Sequence, residues 1–368
     1  MKICVITAAW SITGVPLAQR RFAGALAALG HEVEFVVGSK PDDLVIPPIA
    51  GVRIVAWRAA RVTAMIRPMM RYLKRERPDI VFSAEDHLNG VVLLAAILAR
   101  SRAKISGSSR VPPSDSYSNT PFTKGWARKL LMGLAMRRAD ALTCVSKDMA
   151  ANYKSYFPNG PHTDVYNIID DAATRARAAE PVEHPWFVDR DVPIVASAGT
   201  LTGRKNFMLL VEAVAELKRR GRHVRLAIFG EGYRRPELEA RIAEHDIADR
   251  VWLPGRTANP LAYFSHADVI ALSSYAVGLP NVLIEGMICG CTPVATDCPT
   301  GPREVIEGAG VGALVPMGDT VAMADGIERA LGHPASREAL ERAVAPFREQ
   351  VVIARHFDLL GVPMESAI

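Results

Sequence analysis

The sequence contains no apolar run long enough to cross a lipid bilayer. The longest such run, Val91 to Ala99, has nine residues, whereas a bilayer-spanning helix needs about 20. The first residues lack the long apolar core and cleavage site of a signal peptide, and they have the character of a β-strand. Cysteine is scarce, with five residues in 368, and an odd number in so long a chain favours a reducing compartment over a disulfide framework. We therefore expect a cytoplasmic protein.

The sequence also lacks a zinc-binding motif and the glycine motif of dinucleotide-binding enzymes. Cys289, Cys291 and Cys298 cluster, but no histidine or further cysteine joins them at a spacing typical of zinc sites, so we expect buried free thiols and no bound metal. The turn after the first strand has one useful glycine, Gly14, and no Gly-x-Gly-x-x-Gly. This makes a nicotinamide-dependent dehydrogenase the least favoured class of enzyme.

The net charge is positive in the first half of the chain and negative in the second. Residues 1–170 carry 23 Lys and Arg against 13 Asp and Glu, and residues 171–368 carry 21 against 26, so the differences of +10 and −5 sum to the formal net charge of +5. We expect the first half to face an anionic partner. Two basic segments with apolar residues at helical spacing, Arg61 to Arg77 and Lys124 to Arg138, fit either a helix lying on an anionic bilayer or a core-facing stripe with solvated arginines.

The length of the chain and its alternating pattern predict two domains. At 368 residues the chain exceeds what one hydrophobic core commonly supports, and strand-like apolar runs alternate with amphipathic helical patterns. This predicts an α/β fold with two Rossmann-like, doubly wound domains facing a central cleft. The predicted bounds are 1–168 for an N-terminal domain, 169–190 for a linker, 191–345 for a C-terminal domain, and 346–368 for a C-terminal helix that packs back on the N-terminal domain.

Candidate site residues in the first domain follow predicted strands. Gly14 ends the turn after the strand Ile3 to Ala8, where it either lets a ligand approach the backbone or forms a simple tight turn. His87 follows the strand Ile80 to Ser83, and the carboxyl ends of parallel strands are where ligands bind in such folds. A lone histidine is more often structural, so both interpretations stay open.

The second domain has a stronger candidate. The strand Pro193 to Ala198 runs into a glycine-bracketed basic turn with Arg204 and Lys205. Cations where a strand meets a helix predict a diphosphate site, and the alternative is a pair of surface cations. Further on, Gly- and Pro-rich loops flank a helix that carries one carboxylate, Glu285, and these loops suit a sugar-nucleotide whose ribose the carboxylate holds.

The ordered motifs of the second domain resemble those of a known family. They are Gly199-Thr200-Leu201 with Lys205-Asn206, Gly230-Glu231-Gly232, Arg250-Val251 with Gly255, Gly278-Leu279-Pro280-Asn281 with Glu285, and Gly301-Pro302-Arg303-Glu304. This series resembles the large family of retaining glycosyltransferases of GT-B fold, family 4-like, which includes phosphatidylinositol mannosyltransferases. The resemblance is strong over residues 190–320 and looser over residues 1–170.

The resemblance implies a role for each matching residue. Lys205 would contact the donor diphosphate and Glu285 the ribose hydroxyls, with the base near 252–255 and His87 beside the sugar. The implied catalytic residues are His87, Lys205 and Glu285, the implied donor-binding residues are Gly14, Thr200, Arg204, Glu231, Leu253, Gly255, Gly278, Leu279, Pro280 and Asn281, and an acceptor-side residue is Arg110. The family uses no metal, so cationic side chains would neutralise the leaving diphosphate, which itself helps to deprotonate the acceptor.

The resemblance also implies a function. The chain would be a hexosyltransferase that moves a sugar from a UDP- or GDP-sugar to a glycan or lipid-linked acceptor, in cell-surface polysaccharide or glycolipid assembly. The N-terminal domain would be the acceptor side and the C-terminal domain would bind the nucleotide-sugar. We expect no cofactor and no nucleic-acid partner, and an anionic membrane surface on the inner face is a possible further partner.

Two positions depart from the family pattern. The paired acids Glu-x7-Glu would need a glutamate at Val277, and the arginine after the first glycine of the phosphate turn is replaced by Thr200, for which Arg204 can substitute. These departures leave open a degenerate nucleotide-sugar-binding protein with little turnover. A sugar-nucleotide epimerase of the same fold is a further alternative.

Overall fold

The computed structural model describes residues 1–11, 14–42 and 44–363. The chain forms two compact units, the first made of Met1–Ile168 together with the chain from Glu349 onward, and the second of Ile169–Arg348. Residues 12 and 13, in the turn predicted after the first strand, and residues 364–368, at the end of the predicted C-terminal helix, lie outside the described residues.

The described residues alternate strands and helices along the whole chain. The strands are β1 (Lys2–Ala9), β2 (Glu32–Ser39), β3 (Val52–Ala56), β4 (Ile80–Ala84), β5 (Lys104–Ser109), β6 (Ala141–Cys144), β7 (His162–Asp164), β8 (Ile194–Ala198), β9 (Arg225–Phe229), β10 (Val251–Gly255), β11 (Val269–Leu272), β12 (Thr292–Thr296) and β13 (Ala313–Val315). The helices are α1 (Val15–Ala28), α2 (Ile66–Glu76), α3 (Asp86–Ala99), α4 (Pro113–Ser116), α5 (Lys124–Ala135), α6 (Lys147–Tyr156), α7 (Ala172–Ala178), α8 (Pro185–Asp189), α9 (Met208–Arg219), α10 (Arg235–Glu244), α11 (Pro260–Phe264), α12 (Asn281–Ile288), α13 (Pro302–Ile306), α14 (Thr320–Gly332), α15 (Arg337–Val344) and α16 (Glu349–Leu360).

The first unit is a parallel sheet with the order β3-β2-β1-β4-β5-β6-β7. Strands β1 and β4 are almost continuously buried and apolar, as expected for central parallel strands covered on both faces. The chain order reverses between β1 and β4, and this switch point is where doubly wound sheets bind ligands.

The second unit is a parallel sheet with the order β10-β9-β8-β11-β12-β13. Its core is built from the sheet and from α9 and α14, whose apolar faces include Leu210, Val214, Met323 and Ile327. The order reverses between β8 and β11, so the loops after these two strands meet at the switch point. The two parallel-sheet α/β units are the pair of doubly wound domains that the sequence predicts.

The segment predicted as a linker contains local structure. Residues 169–190 include α7 and α8 and belong to the second unit. Asp171 caps α7 by accepting from the Thr174 amide at 2.7 Å, and Phe187 of α8 is buried against Tyr263 with ring centroids 5.1 Å apart. A cap and one buried aromatic order this segment, although its sequence has no clear period.

The C-terminal helix predicted at 346–368 begins at Glu349 in the structure, as α16. A 3-10 turn at Ala345–Phe347 separates α15 from α16, and Pro346 within it lacks an amide hydrogen. The Phe347 carbonyl accepts hydrogen bonds from the backbone amides of Ile169 and Asp170, each at 3.1 Å. Helix α16 then packs in the first unit, where Phe357 stacks on His31 with centroids 5.6 Å apart.

Candidate functional site

The loops after β8 and β9 lie against each other through their backbones. The Gly199 amide donates to the Phe229 carbonyl at 2.9 Å, and the Leu201 amide donates to the Glu231 carbonyl at 3.0 Å. Gly230 has φ of 151°, and a Cβ there would lie 1.9 Å from the Gly199 carbonyl oxygen. Only glycine fits at this contact, so Gly230 sets how the basic turn after β8 leaves the sheet.

The basic turn is also tied to the loop after β11. The Ser273 hydroxyl donates to the Lys205 carbonyl at 2.9 Å, and the Tyr275 amide donates to the Arg204 carbonyl at 2.9 Å. Because β8 and β11 flank the switch point, these bonds fix the turn at the edge where a ligand is expected. The backbone is therefore held by groups other than the Arg204 and Lys205 side chains.

The surroundings of Lys205 disfavour its positive charge. Burial lowers the pKa of its ammonium group, and the adjacent Arg204 guanidinium lowers it further, with a smaller opposing effect from the Cys298 thiol. Both the desolvation and the repulsion would be offset by an anion bound beside the two cations. This is the electrostatic arrangement expected for a group that holds a diphosphate.

The loops after β11 and β12 form a second backbone-packed pair. The Thr300 hydroxyl donates to the Val277 carbonyl, and a Cβ at Gly301 would lie 2.8 Å from the Gly278 carbonyl oxygen. The Thr296 hydroxyl donates to the Ser274 carbonyl at 2.7 Å. These contacts bring the predicted Gly278–Asn281 and Thr300–Glu304 segments together.

The remaining predicted site residues of these loops lie on α12 or just before it. Leu279 and Pro280 are buried, whereas Asn281, the first residue of α12, is exposed. Glu285 lies one turn further along α12 and is partly exposed. The predicted roles of Asn281 and Glu285 toward donor sugar and ribose stay predictions.

Glu231 has a protein partner. Its carboxylate accepts two hydrogen bonds from Arg235, at 3.0 and 2.8 Å, and Arg235 also donates to the Leu253 carbonyl at 3.1 Å. The Arg235 guanidinium lowers the pKa of Glu231. Because Arg235 joins the ends of β9 and β10, Glu231 orders the predicted base-binding region around Leu253 and Gly255, and a direct donor contact stays a prediction.

The ring of Trp252 packs inside the second unit. It stacks on His184 with centroids 3.9 Å apart and lies against Phe187 and Tyr263. A base near 252–255 would thus meet mainly Leu253, Pro254 and the backbone of Gly255 rather than an open indole face.

In the first unit, Gly14 and His87 follow the two strands that flank the switch point. Gly14 has φ of 63° and caps the start of α1. The His87 side chain is 57% exposed, and its Nε2 lies 3.6 Å from a Glu85 carboxylate oxygen. Glu85 itself has φ of 79°, an uncommon conformation for a non-glycine residue, and burial raises its pKa.

The side chain of Asp86, which lies between Glu85 and His87 in the sequence, is buried inside the first unit. Its carboxylate accepts from the Ser109 hydroxyl at 2.6 Å and from the Tyr153 hydroxyl, and burial raises its pKa. Asp86 therefore anchors the start of α3 and leaves His87 on the outer side.

Arg110, the predicted acceptor-side residue, has an internal partner. Its guanidinium donates to the Asn167 side chain, and burial lowers its pKa to about 10. It lines a small internal cavity with Phe22 and His356. These surroundings indicate a structural role, and contact with an acceptor stays a prediction.

Several residues that shape these sites carry no recognisable signal in the sequence. They are Ser273, Thr296 and Thr300, which tie loops through hydroxyl-to-carbonyl bonds, and Arg235, which orders Glu231. Only the serines and threonines at the ends of predicted strands offer a hint, because such hydroxyls commonly bond to nearby backbone. Within the described residues, no group of three His, Cys, Asp or Glu side chains is arranged to hold a metal ion.

Two protein-family models match this chain, one in each half. The model for "Glycosyl transferases group 1" matches residues 192–333, and that for "Glycosyltransferase Family 4" matches residues 12–173. Among solved structures, Anabaena HepE in complex with UDP and glucose has a TM-score of 0.76 at 16% identity, covering 98% of this chain and 99% of its own. The lipopolysaccharide outer core galactosyltransferase WaaB has a TM-score of 0.75 at 17% identity, covering 98% and 99%. The fold is thus that of the GT-B glycosyltransferases.

Curated relatives agree with the family models. A Campylobacter jejuni N-acetylgalactosaminyltransferase, named for an acceptor on diphospho-undecaprenol, is 29% identical over 282 residues, covering 75% of this chain and 74% of the relative. The α-D-kanosaminyltransferase of Streptomyces kanamyceticus is 36% identical over 178 residues, 48% of this chain and 45% of that protein. The chain belongs to the family 4-like glycosyltransferases of GT-B fold, and it is a hexosyltransferase-type enzyme.

Proposed function

We propose that this protein moves a sugar from a UDP- or GDP-sugar to a glycan or lipid-linked acceptor, with retention of the anomeric configuration, in the assembly of a cell-surface polysaccharide or glycolipid. The names of its relatives support this acceptor class. The Campylobacter relative is named for a diphospho-undecaprenol-linked acceptor, and the Rhizobium meliloti relative LpsD for lipopolysaccharide core biosynthesis. HepE, which shares the fold, is known with UDP-glucose.

The observation that carries the proposal is the basic turn at the switch point of the second unit. Its backbone is fixed by Ser273 and Tyr275, and burial disfavours the charge of Lys205 in the free protein. As the bond between sugar and diphosphate breaks, negative charge grows on the leaving phosphate. Cations that are already oriented stabilise this charge without reorganising. Lys205 and Arg204 would supply this stabilisation from side chains, so we propose that transfer needs no metal.

We propose a single displacement, in which retention requires that the acceptor hydroxyl attack from the face that the diphosphate leaves; retention through two successive inversions would instead need a protein nucleophile. The departing phosphate oxygen then takes the acceptor proton while the new glycosidic bond forms. No carboxylate on the opposite face is needed for this route. The anomeric configuration of the product, read from the coupling constant of the anomeric proton, tests this part of the proposal.

A second candidate function follows from Val277. At this position the family carries the first acid of its Glu-x7-Glu pair, and valine cannot hydrogen-bond a sugar hydroxyl. The Val277 carbonyl is held by Thr300, so the loop is ordered without that carboxylate. A nucleotide-sugar-binding protein with little turnover would keep such an ordered loop and lose the acid.

A donor screen tests both candidates. Incubation with a panel of UDP- and GDP-sugars, alone and with undecaprenyl-diphosphate-linked saccharides, should give binding to one donor and transfer to an acceptor. Binding without transfer would favour the non-catalytic candidate. Conversion of the donor to its epimer without an acceptor would identify an epimerase, and absence of both binding and donor hydrolysis would contradict the proposal.

Contact with a membrane is a separate part of the proposal, and it rests on α5. In α2 the apolar residues Met69, Tyr72 and Leu73 are buried, which matches a core-facing stripe. In α5, by contrast, Leu131 and Leu134 are 68% and 62% exposed. Within the described residues no helix combines the length and apolarity needed to span a bilayer.

Exposed apolar side chains also occur on a helix that packs against α5. Helix α3 packs against α5, and its Leu94, Ile97 and Leu98 are 40%, 44% and 51% exposed. We call the exposed leucine and isoleucine residues of α3 and α5 the apolar ridge. Together with the surrounding lysines and arginines it fits the surface of an anionic bilayer.

Vesicle flotation tests the apolar ridge. Leu131→Ser/Leu134→Ser should reduce binding to phosphatidylglycerol-containing vesicles about tenfold or more, because burying each leucine contributes about 1.5–3 kcal/mol. A matched control is Val188→Ser/Val321→Ser, two residues of the second unit that are 60% and 52% exposed. Equal binding by both double variants would contradict this part of the proposal.

A further inference from the structure

A large groove lies at the amino ends of the central strands of the first unit. Gly14 and His87 lie at the other end of these strands, after their carboxyl ends. The volume of the groove is about 950 Å³, within the range of small-molecule binding sites. Its lining comes mainly from the end of α2, the end of α3 and the starts of β1, β4 and β5. We call it the basic groove.

The side-chain charges of the basic groove are unbalanced. Five cationic side chains line it, namely Lys74, Arg77, Arg100, Arg102 and Lys104, against the single carboxylate of Asp79. One oxygen of that carboxylate accepts from the Lys2 backbone amide at 2.8 Å, so it is engaged with backbone. Cations grouped around a concave surface with so little compensation create a strong positive potential.

Two of these arginines occupy an unusual backbone position. Arg77 and Arg100 end α2 and α3 in the left-handed conformation, with φ of 47° and 51°. Glycine is the residue usually found there, because a side chain makes this conformation unfavourable. A cation near a helix C-terminus gains from the helix dipole, but that gain does not require both arginines to line the same groove.

The rim of the groove is ordered by the segment after α5. The Arg138 guanidinium donates to the Ser101 and Ala103 carbonyls at 2.9 and 2.6 Å. This fixes the turn that carries Arg100 and Arg102. The last residues of α3 before the rim, Ile97 and Leu98, belong to the apolar ridge, so the groove adjoins an exposed apolar surface.

We propose that the basic groove binds a phosphate-bearing anion. Its arginines offer planar, multiply donating guanidinium groups suited to phosphate oxygens. The phosphate has two possible sources, the headgroup of an anionic phospholipid beside the apolar ridge or a soluble phosphate compound. The site is separate from the basic turn of the second unit, and the inference does not rest on sugar transfer.

The test compares two triple variants of equal charge change. The groove variant is Arg77→Gln/Arg100→Gln/Arg102→Gln. The control is Arg61→Gln/Arg67→Gln/Arg71→Gln, which removes three exposed arginines from α2 and the segment before it. All six residues are exposed, so both variants should fold, which circular dichroism and thermal melting verify.

Two probes separate the sources of phosphate. The first is binding to vesicles of equal parts phosphatidylcholine and phosphatidylglycerol, compared with phosphatidylcholine alone. The second is inorganic pyrophosphate, with occupancy of the groove read as protection of Lys74 from a small amine-reactive reagent by peptide mass spectrometry. The Lys74 readout keeps pyrophosphate bound at Lys205 from being counted.

If the source is a lipid headgroup, the groove variant should bind the anionic vesicles about 100-fold more weakly than the wild type, since each basic residue near an anionic surface contributes about fivefold. If the source is a soluble phosphate compound, the groove variant should lose the protection of Lys74 by pyrophosphate. The control should lose far less. Loss of vesicle binding alone would support a lipid headgroup, and loss of pyrophosphate protection alone a soluble ligand. Equal losses in the two variants, or a wild type that binds neither probe, would overturn the proposal.

Discussion

Replacing Lys205 by methionine separates binding from folding at the basic turn. Methionine keeps the length of the side chain and removes its charge. The turn should persist, because Ser273 holds the Lys205 carbonyl and Tyr275 holds the Arg204 carbonyl. Any change in nucleotide binding would then report the ammonium group itself.

The size of the effect follows from the interaction that is lost. A hydrogen bond to a charged group contributes about 1.5–3 kcal/mol net. Affinity for a nucleoside diphosphate should therefore fall about ten- to 150-fold in Lys205→Met. If the contact strengthens as the diphosphate leaves, the rate constant of transfer falls as well.

The thermal stability of Lys205→Met should rise or stay unchanged, although its affinity for nucleotide falls. Burial and the Arg204 charge lower the pKa of Lys205, which means that the ionised lysine is less favourable in the folded protein than in the unfolded chain. At neutral pH the protonated ammonium therefore destabilises the fold slightly. Removing it should leave the melting temperature unchanged or raise it, as is common when a binding residue is replaced.

Lys218→Met provides the matched control. Lys218 lies on α9 of the same unit, and its ammonium pairs with Asp246 at 3.0 Å on the surface. Losing this pair should cost at most about 1 kcal/mol of stability and leave nucleotide affinity unaltered. Isothermal titration with UDP and GDP, together with thermal melting, measures both quantities for both variants.

Two outcomes would contradict these expectations. If Lys205→Met binds the preferred nucleotide as tightly as Lys218→Met does, the ammonium group does not hold the diphosphate. If Lys205→Met instead melts well below the wild type, the lysine has a structural role that the backbone contacts do not account for. Charge-preserving Lys205→Arg should recover part of the affinity.

Three further predictions follow from other positions. Val277→Glu should raise the rate of transfer about tenfold or more if the enzyme is degenerate, whereas a fall in donor affinity would indicate a pocket shaped for a sugar without that contact. Gly230→Ala places a Cβ 1.9 Å from the Gly199 carbonyl oxygen, so it should lower stability by about 2 kcal/mol or more and weaken nucleotide binding, whereas Gly133→Ala, with open space around it, should not. Burial lowers the pKa of His162 from 6.5 to about 4; stability should therefore fall as pH drops from 6.5 to about 4, by about 3 kcal/mol from this residue, and His162→Phe should reduce that slope in denaturant titrations.

The central strands could be predicted from the sequence, whereas three of the four edge strands could not. Strands β1 and β8 are apolar runs because parallel strands in the middle of a sheet are covered on both faces. The edge strands β3, β7 and β13 are short and partly exposed, so their sequences lack the continuous apolar signal. Their positions depend on pairing with a neighbour.

The same limit applies to the two basic helices. Apolar residues at helical spacing describe both α2 and α5, and the spacing alone does not reveal what lies opposite each face. In the structure, Met69 and Leu73 of α2 are buried, whereas Leu131 and Leu134 of α5 are exposed. The difference comes from tertiary neighbours, which the local sequence does not specify.

The charged residues of the candidate site could be predicted from the sequence, because they lie in or beside the loops that follow predicted strands. Arg204, Lys205 and Glu285 are charged residues in glycine-bracketed or loop-flanked positions, and the sequence indicates them directly. The resemblance implies a donor contact for Glu231, and in the structure its carboxylate accepts hydrogen bonds from Arg235, the first residue of α10. Glu231 lies in the loop before α10. The rule for side chains four residues apart in a helix therefore does not predict this pair, and it does not predict the bond from Arg235 to the Leu253 carbonyl.

The contacts that shape the loops predicted to bind the donor explain how this chain can depart from the family pattern without losing the fold. Thr300 holds the carbonyl of Val277, not its side chain, and Leu201 is tied to Glu231 through backbone atoms. Replacing the side chain at 277 or 200 therefore leaves these loop bonds intact. Since the loops keep their positions, such substitutions act on what the donor meets rather than on stability. A donor whose sugar lacks the hydroxyl that an acid at 277 would bind needs no other change in the protein, which is why Val277 is the position where donor choice should be tested first.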